Sequence, residues 1–264
     1  MQTQAQFGTQ LREWRMRRRM SQLDLALDAE ISARHLSFVE TGKSQPSRDM
    51  VLRLAERLDV PLRDRNVLLS AAGFAPVFSE RKLDDPALRD ARKAVDLVLK
   101  GHEPYPALAI DRHWTLVAAN EAVPPLLAGA SPDLVKGPIN VLRLSLHPDG
   151  LSSRIVNLAQ WRAHLLERLR RQIDITADPV LLALLQELQS YPVPPPAGPP
   201  PKPLSDVIVP LQLRAGDMVL SFISTTTVFG TPQEVTLSEI ALETFFPADQ
   251  QTAEILRGTG RNEG

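Results

Sequence analysis

The sequence predicts two bodies of different class. Residues 1–83 read as an all-α domain of five short helices, and residues 102–264 as an α+β domain with an antiparallel sheet. A connecting helix lies within 84–101. Three observations predict this. First, Ser21, Ser32 and Ser47 each stand just ahead of apolar residues at helical spacing, and Gly42 and Gly73 stand where helices should stop. Second, after Gly101 the texture changes to short alternating segments rich in β-formers. Third, charge divides with texture. Residues 1–82 hold 14 Lys/Arg against 10 Asp/Glu, and the remainder holds 16 against 21. A basic front and an acidic back point to a polyanionic partner for the front alone.

The elements follow in order. Phe7 to Arg19 forms a first helix that places Leu11, Trp14 and Arg15 within one or two turns and ends in the run Arg17, Arg18 and Arg19. Ser21 caps a second, with Asp24 in the capping-box position and Leu23, Ala26 and Leu27 on one face. Ser32 caps a third, Ala33 to Glu40, which stops at Thr41-Gly42. Ser47 caps a fourth carrying Val51, Leu54, Ala55 and Leu58, and Pro61 opens a fifth that ends at Gly73. Pro86 opens the connecting helix, which runs to about Lys100. Ala107–Asp111 and Thr115–Ala119 read as paired strands, and Asn120 after them as a helix cap. Trp161–Gln172 and Pro179–Leu188 are amphipathic helices. Ser190 to Pro203 is proline-rich and reads as a rigid surface loop. Leu204–Arg214, Met218–Val228 and Glu234–Phe245 are β-rich, with Val207, Val209, Leu211 and Leu213 alternating cleanly.

The chain contains no cysteine, which removes disulfides, thiolate zinc sites and thiol nucleophiles. The start of the chain lacks the apolar stretch of a signal peptide, and the longest aliphatic run, Val180 to Leu185, is too short to span a bilayer. A cytoplasmic protein without a membrane partner is expected. Catalytic signatures fail on inspection. Gly42-Lys43-Ser44 ends like a phosphate-binding loop, but Ser37 stands where that loop needs glycine. His102-Glu103 runs into Pro106 rather than a second histidine, and His164 is followed by Arg168 rather than the histidine an inverted zinc motif requires. No enzyme, cofactor or metal site is expected.

Residues 21–46 carry the strongest motif, two short helices joined by a tight turn, with the second placed to probe the major groove. Leu36 and Val39 anchor its inner face, so Arg34 and Phe38 fall opposite, with Ala33, His35 and Ser37 on the flanks. An outward Arg34 matches guanine O6 and N7, and an outward Phe38 matches a thymine methyl. Gln22 at the start of the second helix, and Thr41, Lys43 and Ser44 after the third, suit phosphate contacts. The alternative is a plain bundle with Arg34 solvated and Phe38 in a local core.

Residues 8–75 resemble the Cro/repressor-like helix-turn-helix family, often called XRE. The resemblance rests on Arg18-Arg19-Met20-Ser21-Gln22, Leu25-Ala26, Ile31-Ser32, Glu40-Thr41-Gly42-Lys43, Pro46 and Leu54-Ala55-Glu56-Arg57-Leu58. One departure is Glu30-Ile31, where the family commonly has Gly-Val. The resemblance implies that the helix after the turn reads bases through Ser32, Ala33, Arg34, Ser37 and Phe38. It also implies a dimer on a palindromic operator in double-stranded DNA.

The rest is similar to the MmyB-like regulators, which join this motif to a PAS-like ligand-binding domain. The matching stretches include Gly101 to Leu108, Asp111 to Trp114, Asn140 to Arg143, Leu146 to Gly150 and Asn157 to Trp161. That resemblance implies a small apolar effector, with fatty-acyl compounds the leading class. Arg143, His147 and Trp161 are the candidate ligand residues. Arg143 either meets a carboxylate headgroup at a pocket rim or bridges a loop to a helix. His147 before Pro148 either meets ligand or holds a turn. Trp161 is either core or pocket lining. A C-terminal domain that serves only dimerisation or a protein partner is the rival reading.

Overall fold

The computed structural model describes residues 2–192, 208–230 and 232–259. The proline-rich stretch beyond Pro192, Leu204 and Val207 therefore lie outside the described residues. The chain divides into two compact units, one of residues 1–82 with 231–238, the other of 83–230 with 239–264.

The first unit contains five helices of the N-terminal region: α1 (Gln2–Arg17), α2 (Gln22–Asp28), α3 (Ala33–Glu40), α4 (Arg48–Arg57) and α5 (Leu62–Ala71). The serine caps work as their spacing predicts. The Oγ atoms of Ser21, Ser32 and Ser47 accept the backbone N–H of Asp24, His35 and Met50, and Asp24 returns the bond to Ser21. Phe7, Leu11, Leu25, Leu36, Leu54, Leu58, Leu68 and Leu69 form one core. In α2 the buried side chains are Leu25 and Ala26, while Leu23 and Leu27 are exposed. The apolar face of this seven-residue helix is thus a different one from that read in the sequence. In so short a helix two apolar faces fit the same pattern, and packing on α3 and α4 selects one. Gly8 lets α1 approach the end of α3, since a Cβ there would stand 2.4 Å from the Glu40 carbonyl oxygen.

Residues 235–238 form a short helix, α11, inside the stretch read as β-rich, and belong to the first unit. Glu234 is buried, and its carboxylate accepts the N–H groups of Arg81 and Leu237, both at 2.8 Å. These bonds cap a turn rather than continue a ladder.

The second unit begins with a turn of 3₁₀ helix at Pro86–Leu88 and α6 (Arg89–Gly101). β1 (Ala107–Ile110) and β2 (Leu116–Ala119) form a hairpin, followed by α7 (Pro132–Val135), α8 (Val141–Leu146), α9 (Leu158–Thr176) and α10 (Pro179–Ser190). β3 (Leu211–Ala215), β4 (Met218–Val228) and β5 (Ala241–Pro247) complete an antiparallel sheet of order β2-β1-β5-β4-β3, and α12 (Gln250–Thr259) follows. Alternation along the strands divides the sheet's faces. Ala107, Ala109 and Leu242 pack on Val95 and Leu99 of α6. Leu108, Ile110 and Leu213 face α8, α9 and α10 through Leu142, Trp161, Leu165 and Leu181. Asn120 caps no helix. It is buried, its Oδ1 accepts the Ala107 N–H at 3.1 Å, and its Nδ2 donates to the carbonyls of Leu99 and Tyr105 at 3.1 and 2.8 Å. Three bonds to backbone tie α6 to the first hairpin, a stronger demand on the amide than one helix end.

Candidate functional site

In the first unit the sequence places a probe on α3, and the local geometry fixes how it is presented. Leu36 and Val39 are buried, while Ser32 and Arg34 are exposed and Phe38 is 36% exposed. The Arg34 guanidinium stands 5.4 Å and the Lys43 ammonium 6.0 Å from the Phe38 ring centre. Two cations thus flank an exposed aromatic ring, which offers one charged and one apolar contact from a single turn. Ala33 and Ser37 are half-buried on the flanks. Thr41 is exposed with its hydroxyl turned back to the Ser37 carbonyl at 2.7 Å. The N–H groups of Lys43 and Ser44 both bond the Phe38 carbonyl, at 2.8 and 3.1 Å.

Gln22 is positioned differently. Its Nε2 donates to Glu40 Oε2 at 2.7 Å, and the same carboxylate takes Arg15 in a fork at 2.7 and 3.0 Å. The fork with Glu40 holds the Arg15 pKa above its ordinary value against the opposing effect of burial. Arg15 also donates to the Met20 carbonyl at 2.8 Å, so one buried network locks α1, the start of α2 and the end of α3. Its signal in the sequence is only a buried-side arginine and a helix-terminal glutamate, neither of which announces its partner.

In the second unit a cavity of about 110 Å³ lies between the sheet and α8 and α9. Leu108, Trp114, Leu116, Leu126, Leu142, Leu144, Leu151, Trp161, Leu165, Leu213, Phe222 and Phe245 supply its walls, with Ser145, Arg168 and Glu243 as polar members. Ser145 Oγ accepts the Trp161 indole N–H at 3.1 Å. Arg168 meets Glu243 at 2.6 and 3.2 Å, donates to Thr226 Oγ1 at 2.9 Å and lies 4.9 Å from the Trp114 ring centre.

Trp161 thus lines the cavity. Arg143 and His147 do not, but the fold brings them together elsewhere. Arg143 forks onto Glu187 at 2.6 and 2.7 Å, and Tyr191 donates to the same carboxylate. His147 packs edge-on to Tyr191 with ring centres 5.0 Å apart, and its Nδ1 accepts the Asp149 N–H at 3.0 Å. The Arg143 hydrogen bonds hold the Glu187 carboxyl below the usual range. Burial, then the bond to Glu187, pushes the Tyr191 hydroxyl up to about 12. This cluster ties α8 to α10.

Sequence reasoning passed over Arg168 and Glu243, although both carry a signal. Trp161, Leu165 and Arg168 are four and three residues apart, which puts Arg168 on the apolar stripe of α9. Ala241, Glu243 and Phe245 alternate along β5, which puts Glu243 on an apolar strand face. Among the described residues no group of three or more His, Asp or Glu side chains is placed to hold a metal ion, and no helix is long and apolar enough to cross a membrane.

Comparison with known proteins adds the following. Residues 6–68 match the family model of a helix-turn-helix domain, and residues 91–258 that of the MmyB-like transcription regulator ligand binding domain. Neither description names a catalytic activity. No curated protein matches the chain. Among solved structures, the clp gene regulator ClgR from Corynebacterium glutamicum is similar at 23% identity, covering 39% of this chain and 96% of that one, with a TM-score of 0.24. An N-terminal helix-turn-helix precedes a matched region that takes up most of the sequence, and the chain belongs to the MmyB-like transcription regulators.

Proposed function

We propose that this chain is a one-component regulator in the XRE manner. As a cytoplasmic homodimer it binds a palindromic operator and responds to a small apolar effector held in the second unit. Arg34 and Phe38 read bases from the major groove, helped by Ser32, Ala33 and Ser37. Gln22, Thr41, Lys43 and Ser44 set the register on phosphates. Trp161 is the effector contact among the three ligand residues first named. Arg143 and His147 act one layer out, holding α8 in place through Glu187 and Tyr191.

The observation that carries the effector half is the cavity. It is walled mostly by apolar side chains, chiefly Leu, Phe and Trp, in a chain whose other unit presents an exposed arginine on a probe helix. Its volume of about 110 Å³ is near that of an engineered apolar cavity of about 150 Å³ that holds benzene. A ring or a short chain therefore enters without moving the walls, and a long fatty-acyl chain requires them to part. A domain built only for dimerisation has no use for such a void, since unfilled space costs stability.

Native mass spectrometry of the purified full chain, repeated after denaturation, tests this. The expected result is a dimer carrying a small mass that denaturation releases. A clean dimer that also ignores added apolar probes supports the rival reading, in which the second unit serves protein contacts alone.

A further inference from the structure

Given that the cavity is the effector site, as proposed above, we infer that it selects a neutral effector over a carboxylate, because Glu243 already matches the cation that a carboxylate would need. Arg168 and Glu243 are the charged side chains on the cavity wall, and they neutralise each other through a fork at 2.6 and 3.2 Å. Glu243 is 4% exposed. Thr226 donates to its Oε1 at 2.8 Å, so the pair is part of a closed network.

The pair stands at a boundary. Trp114, Arg168 and Glu243 line both this cavity and a neighbouring cleft of about 330 Å³. Charges on that cleft also balance, Arg112 and Arg171 against Asp111 and Glu239. Trp114 is fixed over Arg168 in a left-handed backbone conformation, φ 66°, which a bulky side chain rarely adopts. Its N–H bonds the Asp111 carbonyl at 3.0 Å and its indole N–H bonds Gln172 Oε1 at 2.7 Å. Strain held by several bonds at one residue fits a site where position matters.

An entering carboxylate has two courses. It displaces Glu243 from Arg168, which leaves a buried carboxylate without its cation, or it sits beside Glu243 as a second like charge. Both are costly in an apolar cavity. A neutral amide, ester or alcohol has a third course. A guanidinium carries five N–H donors, and Arg168 makes three such bonds, to Glu243 and Thr226. A neutral carbonyl or hydroxyl oxygen can accept a remaining donor with the ion pair intact.

Titration calorimetry of the full chain at pH 8 with octanamide and octanoate tests this, because the two probes share chain length and headgroup shape and differ in charge. Octanamide is expected to bind at least about tenfold more tightly. Glu243→Gln removes the resident carboxylate and keeps its shape, so octanoate should gain at least about tenfold relative to octanamide. Octanoate binding as tightly as octanamide in the wild type overturns the inference, as does an unchanged ratio in a folded Glu243→Gln protein. If circular dichroism shows that this variant does not fold, the wild-type order decides. Binding of neither probe removes the cavity as the effector site, a different failure from the wrong order.

Discussion

Arg34 stands one turn before Phe38 on the exposed side of α3, and the proposed reading gives both a base contact in the major groove. The guanidinium is suited to a guanine edge and stands 5.4 Å from the Phe38 ring centre. Arg34→Ala should weaken operator binding by about 1–3 kcal/mol and relax the preference at one base pair of each half-site. Binding-site selection followed by titration of wild type and variant reads both. Unchanged affinity and preference would remove Arg34 from the reading set. Glu30 is a second residue whose conformation carries a prediction. It follows the C-cap of α2 with φ 55°, a left-handed conformation that glycine adopts without strain. A side chain there costs about 1–2 kcal/mol and glycine's extra chain entropy about half of that. Glu30→Gly should therefore raise the first unit's stability by about 0.5–1 kcal/mol, visible as a higher denaturant midpoint with the same slope.

At the scale of elements, helices with side-chain caps were legible because the cap is a local bond. Ser21 with Asp24, Ser32 and Ser47 needed no distant partner to be read, and α2 to α4 start where those residues say. Elements defined by distant partners were not legible. The turn at Glu234 depends on N–H groups of Arg81 and Leu237, and Asn120 is claimed by α6 and the first hairpin. The cavity was half legible. Trp161 was named, and Arg168 follows from the same helical stripe, but its pairing with Glu243 brings together side chains 75 residues apart.

Helix α9 also carries a pH prediction. His164 stacks on Trp161, ring centres 5.4 Å apart, and burial lowers its pKa below 6.5, helped by Arg168. The folded state then binds the proton less readily than the unfolded chain. The resulting stability is present above about pH 6.5 and is lost as pH falls through the folded value. Glu187 adds a second loss at lower pH, below its ordinary 4.5, because its folded pKa is also lowered. Melting temperature should fall in two stages on acidification, and His164→Gln should remove the first. A melting temperature flat from pH 7 to pH 5.5 would contradict this.

For the whole molecule, the charge asymmetry of the sequence coincides with the two units, and the chain passes between them more than once. After β4 it contributes 232–238 to the first unit and then returns as β5, the strand that carries Glu243. The strands on either side of the excursion pair with each other, the last pair being Val228 opposite Ala241. A strand that lines the cavity and a segment of the helix-turn-helix unit are therefore close along the chain. An effector alters DNA binding only if its affinity differs between arrangements of the protein.

Operator affinity with and without octanamide, in wild type and Leu126→Trp, is the most direct measurement of that coupling. Leu126 is half-buried on the cavity wall, so tryptophan there fills the space from its edge. Octanamide should shift the operator Kd of the wild type by about fivefold or more, within the usual range of coupling energies, and leave the filled variant unmoved. An operator Kd indifferent to octanamide, at concentrations where calorimetry shows the wild-type cavity occupied, would contradict the account.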